Sequence, residues 1–448
     1  AAISWCAAAG GRMALTDRMP DSAFTGRNAL KQRVQERLLA RLDFSAMSLL
    51  DPVMLRAQLA MLVMQILEED GAAFSDTDRE EVINDVMNEI LGLGPLEPLL
   101  QDEEVSDILV NTATRIYVER SGKLSLSPKR FRDNRHLRDV IDKIVARVGR
   151  RIDESSPMVD ARLEDGSRVN AIIPPLALDG PILSIRKFCR EQLQLEHLVA
   201  RGAVTSEIGE MLKAMVYGRL NILIAGGTGC GKTTMLNLLS GFIPAEERII
   251  TIEDAAELQL RQDHVVRLET RPSNVEGKGE ISQRDLVRNS LRMRPDRIVL
   301  GEVRGPEALD MLQAMNTGHD GSLATIHANS ARDAVTRIET MVAMAGLNLP
   351  VHMLRHYVAS ALDVIVHLSR LSDGTRKLMS VQEVVGMEQD VIVLQEIFRF
   401  EQTGLDESRR VRGRFLAAGV RPHFMARLDA LGIALPPDLF DPNRIREV

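Results

Sequence analysis

The chain has 448 residues, of which 45% are hydrophobic and 27% are charged. Its 56 Lys and Arg residues against 63 Asp and Glu residues give a formal net charge of -7. This length at an ordinary composition predicts two or three domains, each with a core of its own. The acidic balance argues against a protein that mainly covers a nucleic-acid backbone, so no nucleic-acid partner is expected.

Cysteine content and hydropathy indicate the setting. Cys6, Cys189 and Cys230 are too few and too scattered for a disulfide framework or a metal cluster, which favours a reducing, cytoplasmic environment. The most apolar helical stretch, Leu59 to Leu67, is far shorter than the roughly 20 residues that cross a bilayer, so no transmembrane segment is predicted. Residues 1–27 lack the features of a secretory signal and are expected to be a disordered N-terminus.

Residues 28–91 are predicted to form a helical domain. From Asn28, apolar residues recur at every fourth position among charged ones. Two further helices are expected from about Pro52 to Glu69 and from Ser75 onward. These one-sided apolar patterns favour helices that pack on one another, with a partner-docking surface as the alternative.

Residues 92–195 are predicted to form a small α+β domain. Two glycines and two prolines between Gly92 and Pro98 end the helical pattern and mark the boundary. The predicted strands and helix of this domain are Ile108 to Asn111, Arg115 to Glu119, Arg135 to Arg147 (helix), Arg168 to Ile173 and Ile182 to Lys187.

Residues 196–403 alternate short strands rich in branched residues with helices, as a parallel α/β sheet does. The predicted strands are Asn221 to Ala225, Arg248 to Ile252, Val265 to Glu269, Arg297 to Leu300 and Leu323 to Ile326. A hairpin of Asp363 to Arg370 and Lys377 to Val385 is predicted to extend the sheet. Residues 404–448 are expected to be a C-terminal tail that contains a helix.

A phosphate-binding loop is the strongest signal in the sequence. Residues 226–233 match G-x-x-x-x-G-K-[ST] and stand between an apolar run and a helix-forming run. Glycines let backbone N–H groups surround phosphates, the helix start adds a positive dipole end, and the lysine supplies a cation. The predicted nucleotide-binding residues are Gly226, Gly227, Thr228, Gly229, Cys230, Gly231, Lys232, Thr233 and Thr234.

An acidic cluster follows the next strand. Glu253, Asp254 and Glu257 stand at the predicted carboxyl end of that strand, where ligands of parallel sheets gather. Such a cluster alone fits a solvated loop equally well. Beside a nucleotide site it predicts carboxylates that, with Thr233, hold magnesium and orient the attacking water.

The strand Arg297 to Leu300 leads into Gly301-Glu302-Val303-Arg304 and resembles the second nucleotide strand of P-loop enzymes. It carries Gly301 where an Asp commonly stands, so magnesium is expected to depend more on Thr233 and the acidic cluster. Glu302 is the candidate to polarise the lytic water, and Arg304 is expected to pair with it.

Two histidines and one cysteine complete the candidate site. His319 and His327 flank one predicted strand and are expected at the same sheet edge, with His327 as the stronger candidate for a γ-phosphate sensor. Cys230 fills space in the loop. Because a helix N-terminus can lower a thiol pKa, an alkylation-sensitive Cys230 is a secondary hypothesis.

Four sequence boxes, at residues 226–233, 251–258, 294–305 and 318–330, together resemble the type II/IV secretion ATPase superfamily. The runs Glu104 to Asn111 and Gly166 to Asn170, with Pro174-Pro175, resemble the branch that powers assembly of Tad (Flp) pili. The likeness covers about Leu91 to Phe400.

This resemblance implies a RecA-like P-loop ATPase domain preceded by a small α+β, PAS-like domain, with ATP and Mg²⁺ as ligands. It also implies a homo-hexamer that acts on an inner-membrane pilus platform from the cytoplasmic side. In the family, arginines of the smaller domain reach the phosphates, and Arg162, Arg168 and Arg186 fit that role here.

Three other functions stay open at this point. One is an ATPase of a type IV secretion system that transports DNA or protein. Another is a P-loop kinase, for which no acceptor pocket is recognisable. The third is a nucleotide-gated scaffold with little hydrolysis, which the departure at Gly301 keeps open.

Overall fold

A computed structural model describes residues 33, 34, 37, 38, 52–69, 76–120, 122–188, 193–271, 273, 278–346, 350–444 and 446–447. The chain divides into two compact units, Ala1–Phe188 and Cys189–Val448. The predicted disorder of residues 1–27 and most of the helix predicted from Asn28 lie outside the described residues.

The first unit begins with two described helices, α1 (Pro52–Glu69) and α2 (Asp76–Leu91). Val34 and Leu38, which are helical and buried, belong to the same apolar cluster as the inner faces of these helices. The shared cluster confirms the prediction that the N-terminal helices pack on one another. Its buried members are Val34, Leu38, Leu59, Val63, Ile66, Leu67, Val82, Val86 and Met87.

The rest of the first unit is an antiparallel six-stranded sheet with helices. Its elements are a 3-10 turn (Gly94–Leu96), α3 (Glu97–Gln101), β1 (Val105–Thr112), β2 (Arg115–Arg120), β3 (Lys123–Leu126), α4 (Asn134–Arg147), β4 (Met158–Arg162), β5 (Arg168–Ile172) and β6 (Ile182–Arg186). The strand order is β3-β2-β1-β6-β5-β4. The sequence analysis did not predict the edge strands β3 and β4. Both are short, with 4 and 5 residues, and no residue in either is buried, so they lack the buried apolar face that marks the other strands.

The glycine- and proline-rich segment after α2 is anchored to the sheet domain. Nζ of Lys143 donates hydrogen bonds to the carbonyl oxygens of Ile90 and Gly92, at 3.1 and 2.6 Å. Nε2 of His136 lies 2.7 Å from a carboxylate oxygen of Glu89. These contacts satisfy carbonyls at the end of the helix and join α2 to α4.

The second unit is an α/β domain. Its elements are α5 (Leu195–Ala200), α6 (Ser206–Tyr217), β7 (Ile222–Gly226), α7 (Lys232–Ser240), β8 (Ile249–Glu253), β9 (Val265–Glu269), α8 (Gln283–Ser290), β10 (Arg297–Val303), α9 (Glu307–Asn316), β11 (Leu323–His327), α10 (Ala331–Met344), α11 (Val351–Ala361), β12 (Val364–Arg370), β13 (Arg376–Glu388), β14 (Val391–Leu405), β15 (Val411–Ala417), α12 (Met425–Ala430), a 3-10 turn (Pro437–Phe440) and β16 (Arg446–Glu447).

These strands form one ten-stranded sheet in the order β16-β15-β14-β13-β12-β7-β11-β10-β8-β9. The strands from β12 to β9 are parallel, and β13 to β16 extend the sheet in antiparallel fashion. Apolar clusters cover both faces, so β7 and β8 are buried at every residue. The predicted α/β class and the predicted hairpin β12–β13 are confirmed.

The C-terminal region contributes more to the sheet than the sequence predicts. Strand β14 continues past residue 404, and β15 pairs with it. The prediction of a tail with a helix therefore missed two strands, β15 and β16. The arginines of β15 obscure an alternation in which Val411 and Phe415 are buried. Arg414 is compensated by an ion pair with Glu401 at 2.7 Å. The predicted helix is present as α12.

No helix in the described ranges combines the length and the apolar character needed to cross a membrane.

Candidate nucleotide site

The loop between β7 and α7 has the backbone that a phosphate-binding loop needs. Gly229 and Gly231 have φ values of 69° and 97°, which side chains other than glycine rarely adopt. At Gly226, an added Cβ would lie 2.4 Å from Sγ of Cys230 and 2.6 Å from the carbonyl oxygen of Leu368. The loop therefore requires glycine for conformation at two positions and for close packing at a third.

Lys232, the first residue of α7, closes this loop. Its side chain is buried, and Nζ donates hydrogen bonds of 3.1 Å to the carbonyl oxygens of Gly226 and Gly227. Nζ also lies 3.4 Å from Nε2 of His327. An ammonium group at the start of a helix, inside a glycine-rich loop, is favourably placed for phosphate oxygens.

A register shift in β10 positions the candidate catalytic glutamate. Leu300 is opposite Ala324 of β11, whereas Val303 is opposite Ile326, so three residue steps of β10 face two of β11. The extra residue falls at Gly301 and Glu302. A bulge of this kind redirects a side chain at the end of a strand.

Glu302 contacts Arg304 through one carboxylate oxygen and His327 through the other. Nε of Arg304 donates to Oε2 of Glu302 at 2.7 Å, so the expected pairing is confirmed. Oε1 lies 2.9 Å from Nε2 of His327, but the two groups are not aligned as a hydrogen bond. Among the described residues, this buried oxygen has no hydrogen-bond donor, so it is positioned to accept one from a water molecule.

Glu253 explains the glycine at position 301. A Cβ on Gly301 would lie 2.9 Å from Cγ of Glu253, which comes from the neighbouring strand β8. Oε2 of Glu253 accepts hydrogen bonds from the backbone N–H groups of Glu257 and Leu258, at 2.7 and 2.9 Å. Its Oε1 is buried and lacks a donor within the described part of the chain. The aliphatic part of the Glu253 side chain thus occupies the space that a side chain at position 301 would need.

The three acidic residues of the predicted cluster have different environments. Burial raises the pKa of Glu253, against the backbone hydrogen bonds that lower it. Asp254 is exposed and lies 3.2 Å from Nη1 of Arg304. Glu257 contributes its backbone N–H to Glu253.

The donor set fits a magnesium ion that keeps most of its ligands from water and phosphate. Within the described ranges, no three His, Cys, Asp or Glu side chains are grouped to hold a metal ion. Mg²⁺ commonly binds through one or two carboxylates together with substrate phosphates. Oε1 of Glu253, which is buried without a donor, and the hydroxyl group of Thr233 in the first turn of α7 are suitable ligands of this kind.

His327 lies at the phosphate end of the sheet, because it is in register with Gly226 of the parallel strand β7. Burial lowers its pKa, and the positive charge of Lys232 lowers it further, while Glu302 acts in the opposite direction. The ring is therefore neutral at pH 7 and able to accept a hydrogen bond.

The prediction that His319 lies at the same edge as His327 is wrong. His319 precedes β11, and its carbonyl oxygen accepts a hydrogen bond from Oγ of Ser322 at the start of that strand. A strand of 5 residues spans about 16 Å, so the residues before and after it lie at opposite ends of the sheet.

The hypothesis of a reactive Cys230 is also contradicted. The thiol is 2% exposed, and burial raises its pKa. A protonated, enclosed thiol is a poor nucleophile, so Cys230 serves as packing against Gly226.

The three arginines of the first unit lie in one row across adjacent strands. Arg162 is opposite Arg168, and Arg168 is opposite Arg186. Residues directly opposite one another share a face of the sheet, so the three arginines lie on one face. Their role as arginine fingers remains a prediction.

The sequence analysis did not identify Arg370 and Arg376, which also lie beside the loop. Nε of Arg376 donates a hydrogen bond of 2.9 Å to the carbonyl oxygen of Gly229. A guanidinium nitrogen of Arg370 lies 3.8 Å from the position that a Cβ on Gly229 would take. The sheet topology brings these arginines to the loop, because β12 is adjacent to β7 although the two strands are far apart in sequence.

The comparisons with known proteins identify the family of this chain. A model of the family "Type II/IV secretion system protein" matches residues 89–418. The chain belongs to this family. A model of the N-terminal domain of type II secretion system protein E matches residues 28–91. The resemblance to the secretion ATPase superfamily is thereby confirmed, whereas the Tad branch remains a prediction.

Two curated relatives illustrate the family. A "Putative conjugal transfer protein" of Mycobacterium tuberculosis is 39% identical over 312 residues, which cover 68% of this chain and 88% of that protein. The type IV secretion system protein PtlH of Bordetella pertussis is 35% identical over 325 residues, with 64% of this chain and 91% of that protein covered.

Solved structures with similarity include the VirB11 ATPase of the Brucella suis type IV secretion system, in complex with sulphate. It is 29% identical, with a TM-score of 0.36, and the match covers 64% of this chain and 95% of that chain. The pilus retraction motor PilT with bound ADP is 20% identical, with a TM-score of 0.46, over 67% of this chain and 81% of that chain.

Proposed function

We propose that this chain is a magnesium-dependent ATP hydrolase that works as a homo-hexameric motor on the cytoplasmic side of the inner membrane. It drives the assembly of a Tad (Flp) pilus through a membrane platform protein. The proposal of ATP hydrolysis rests on the convergence of Lys232, His327 and Glu302 at one loop. Nε2 of His327 lies 3.4 Å from Nζ of Lys232 and 2.9 Å from Oε1 of Glu302.

The site residues divide the work of phosphoryl transfer to water. The loop amides and Lys232 bind the β and γ phosphates. Oε1 of Glu302 accepts a hydrogen bond from the attacking water, and Arg304 fixes the other carboxylate oxygen. Neutral His327 lies between Lys232 and Glu302, where it responds to the presence of the γ-phosphate.

Thr233 and Glu253 would hold magnesium, with Asp254 at the outer side. When bound, the ion neutralises phosphate charge and orients the phosphoryl group for in-line attack. Arg162, Arg168 and Arg186 remain part of the proposal as arginine fingers, which their shared row in the sheet supports.

A transport ATPase of a type IV secretion system is the second candidate. The relative described as a conjugal transfer protein favours it, since 39% identity extends over 88% of that protein. The net charge of -7 argues against direct DNA handling and keeps pilus assembly as the first candidate.

The test is ATP hydrolysis by oligomer and monomer fractions separated by size, with and without duplex DNA at two salt concentrations. The motor proposal predicts turnover in the oligomer and phosphate release to water without an acceptor. Equal activity of the monomer would contradict the ring. Stimulation by DNA that disappears at high salt would favour the transport candidate, and nucleotide binding without turnover would favour a scaffold.

A further inference from the structure

The phosphate-binding loop has two different flanks. Strand β7 lies between β11 and β12 in the sheet. Beyond β11 lies β10 with Glu302, so the reacting end of a nucleotide belongs to that side. On the other side, β12 ends at Arg370 and the hairpin returns through Arg376.

The hairpin β12–β13 touches the loop closely. Leu368 is in register with Gly226, and its carbonyl oxygen would be 2.6 Å from a Cβ placed on that glycine. Cδ of Arg376 lies 3.5 Å from the position that a Cβ on Gly231 would take. Both Leu368 and Arg376 of the hairpin therefore lie directly against the loop.

The turn of this hairpin is itself rigid. Asp373 accepts hydrogen bonds from the backbone N–H and the hydroxyl of Thr375, at 2.9 and 2.7 Å. Its other oxygen accepts one from the backbone N–H of Val411 in β15, at 2.8 Å. The hairpin therefore presents Arg376 from a fixed support and not from a mobile loop.

The charge and bonding of Arg376 suit a phosphate partner. In the described part of the chain its guanidinium makes one hydrogen bond, from Nε to the carbonyl oxygen of Gly229, and the residue is exposed. A guanidinium carries five N–H donors in a planar fork, which matches phosphate oxygens. Four donors thus remain for a ligand in the adjacent loop.

Building on the proposed ATP hydrolysis, we propose that Arg376 binds the α and β phosphates of the nucleotide from the flank opposite Glu302. Arg376 is then a positioning residue that sets the affinity for ADP and ATP alike and does not take part in the hydrolytic step. Arg370, beside it, adds positive charge to the same flank.

The experiment measures ADP affinity and single-turnover ATP hydrolysis at saturating ATP for the full chain and its variants. Arg376→Gln is expected to weaken ADP binding about tenfold, because an ionic hydrogen bond to phosphate is lost. Its single-turnover rate at saturation should equal that of the parent. Arg412→Gln, which removes an exposed arginine from β15, two strands away from β13 in the sheet, is the matched control and should leave ADP binding unchanged.

Arg376→Lys separates a phosphate contact from mere support of the loop. The lysine retains the charge but not the planar fork, so it should recover part of the affinity lost in Arg376→Gln, and the thermal midpoint of the ligand-free protein should be the same in both variants. A lysine variant as weak as the glutamine variant, an unchanged affinity in Arg376→Gln, or a slower single turnover would each overturn the inference. Lys232→Ala is the reference for the proposed function. If Lys232→Ala loses ADP binding but Arg376→Gln does not, only the present inference fails.

Discussion

Nε2 of His327 lies 2.9 Å from Oε1 of Glu302, although the two residues come from different sequence boxes and from the ends of neighbouring strands. The same ring lies 3.4 Å from Nζ of Lys232 in the phosphate-binding loop. One neutral side chain therefore contacts both the cation that would bind phosphate and the carboxylate that would orient water. The proposed role of His327 as a γ-phosphate sensor rests on this pair of contacts.

Replacing Lys232 by alanine should abolish most nucleotide binding. The variant loses the buried ammonium group at the loop, and we expect ADP and ATP to bind about a hundredfold more weakly by isothermal titration calorimetry. Lys213→Ala, which removes an exposed lysine of α6, is the control and should bind as the parent does. Retained binding in Lys232→Ala would show that the loop is not the nucleotide site.

Gly301→Ala should destabilise the second unit. The new methyl group would lie 2.9 Å from Cγ of Glu253, and overpacking of this kind costs about 1–3 kcal/mol. The measurement is the urea midpoint of the full chain. Gly404→Ala, at a position with open space around the added atom, should change the midpoint little.

The clash in Gly301→Ala also predicts that this substitution is coupled to one at Glu253. Truncation in Glu253→Ala removes the Cγ that the new methyl group meets but also two backbone hydrogen bonds, so the loss of stability in the double variant should be smaller than the sum of the two single losses. Additive losses in the double variant would show that Glu253 does not account for the glycine at this position.

The lowered pKa of His327 predicts the acid limb of the pH–rate profile. If hydrolysis requires the neutral ring, the apparent pKa of the acid limb of kcat/KM should lie below the ordinary histidine value of 6.5. This limb should shift or vanish in His327→Asn. His352→Asn, at an exposed histidine of α11, should retain the parent profile. An acid limb at or above 6.5 would contradict the account.

The pH dependence of the free energy of unfolding should also reflect the side chain of His327. As the pH falls below 6.5, the unfolded chain binds a proton at His327 before the folded chain does. This side chain therefore weakens the folded state progressively between 6.5 and its lowered pKa, and His327→Asn should lessen the loss of stability in that window. Urea midpoints of parent and variant across this pH range provide the measurement.

Cys230 should resist alkylation in the folded protein. Its burial and raised pKa predict slow modification by iodoacetamide at neutral pH in the folded protein and rapid modification in denaturant. Peptide mapping of the labelled protein provides the measurement. Cys230→Ser should bind nucleotide normally, because the residue acts by packing. Fast labelling of the native thiol would restore the hypothesis of a reactive cysteine.

The sequence could predict the phosphate-binding loop and the parallel strands because both depend on local signals. Glycines at 229 and 231 determine backbone conformation, and short branched runs mark buried strands. Strand β15 could not be recognised in this way. One of its arginines, Arg414, is compensated by Glu401 of the adjacent strand β14, and this pairing becomes apparent only when the strands are aligned.

The candidate site was predicted in the same uneven way. Glu302 and His327 follow parallel strands, and the direction of those strands places them at one edge. His319 was misplaced because a residue before a strand lies at the opposite edge. The reason for Gly301 and the approach of Arg376 depend on packing between neighbouring strands, which no spacing within one motif reveals.

The central claim, that Glu302 orients the water that attacks ATP, is tested most directly by measuring ATP binding and hydrolysis of Glu302→Gln. The account predicts nearly normal binding with turnover reduced by about 10²–10³-fold, since the amide cannot accept a proton from water. Glu401→Gln, which removes a carboxylate from an arginine ion pair in β14, should hydrolyse ATP as the parent does. Normal hydrolysis by Glu302→Gln would contradict the assignment and the mechanism built on it.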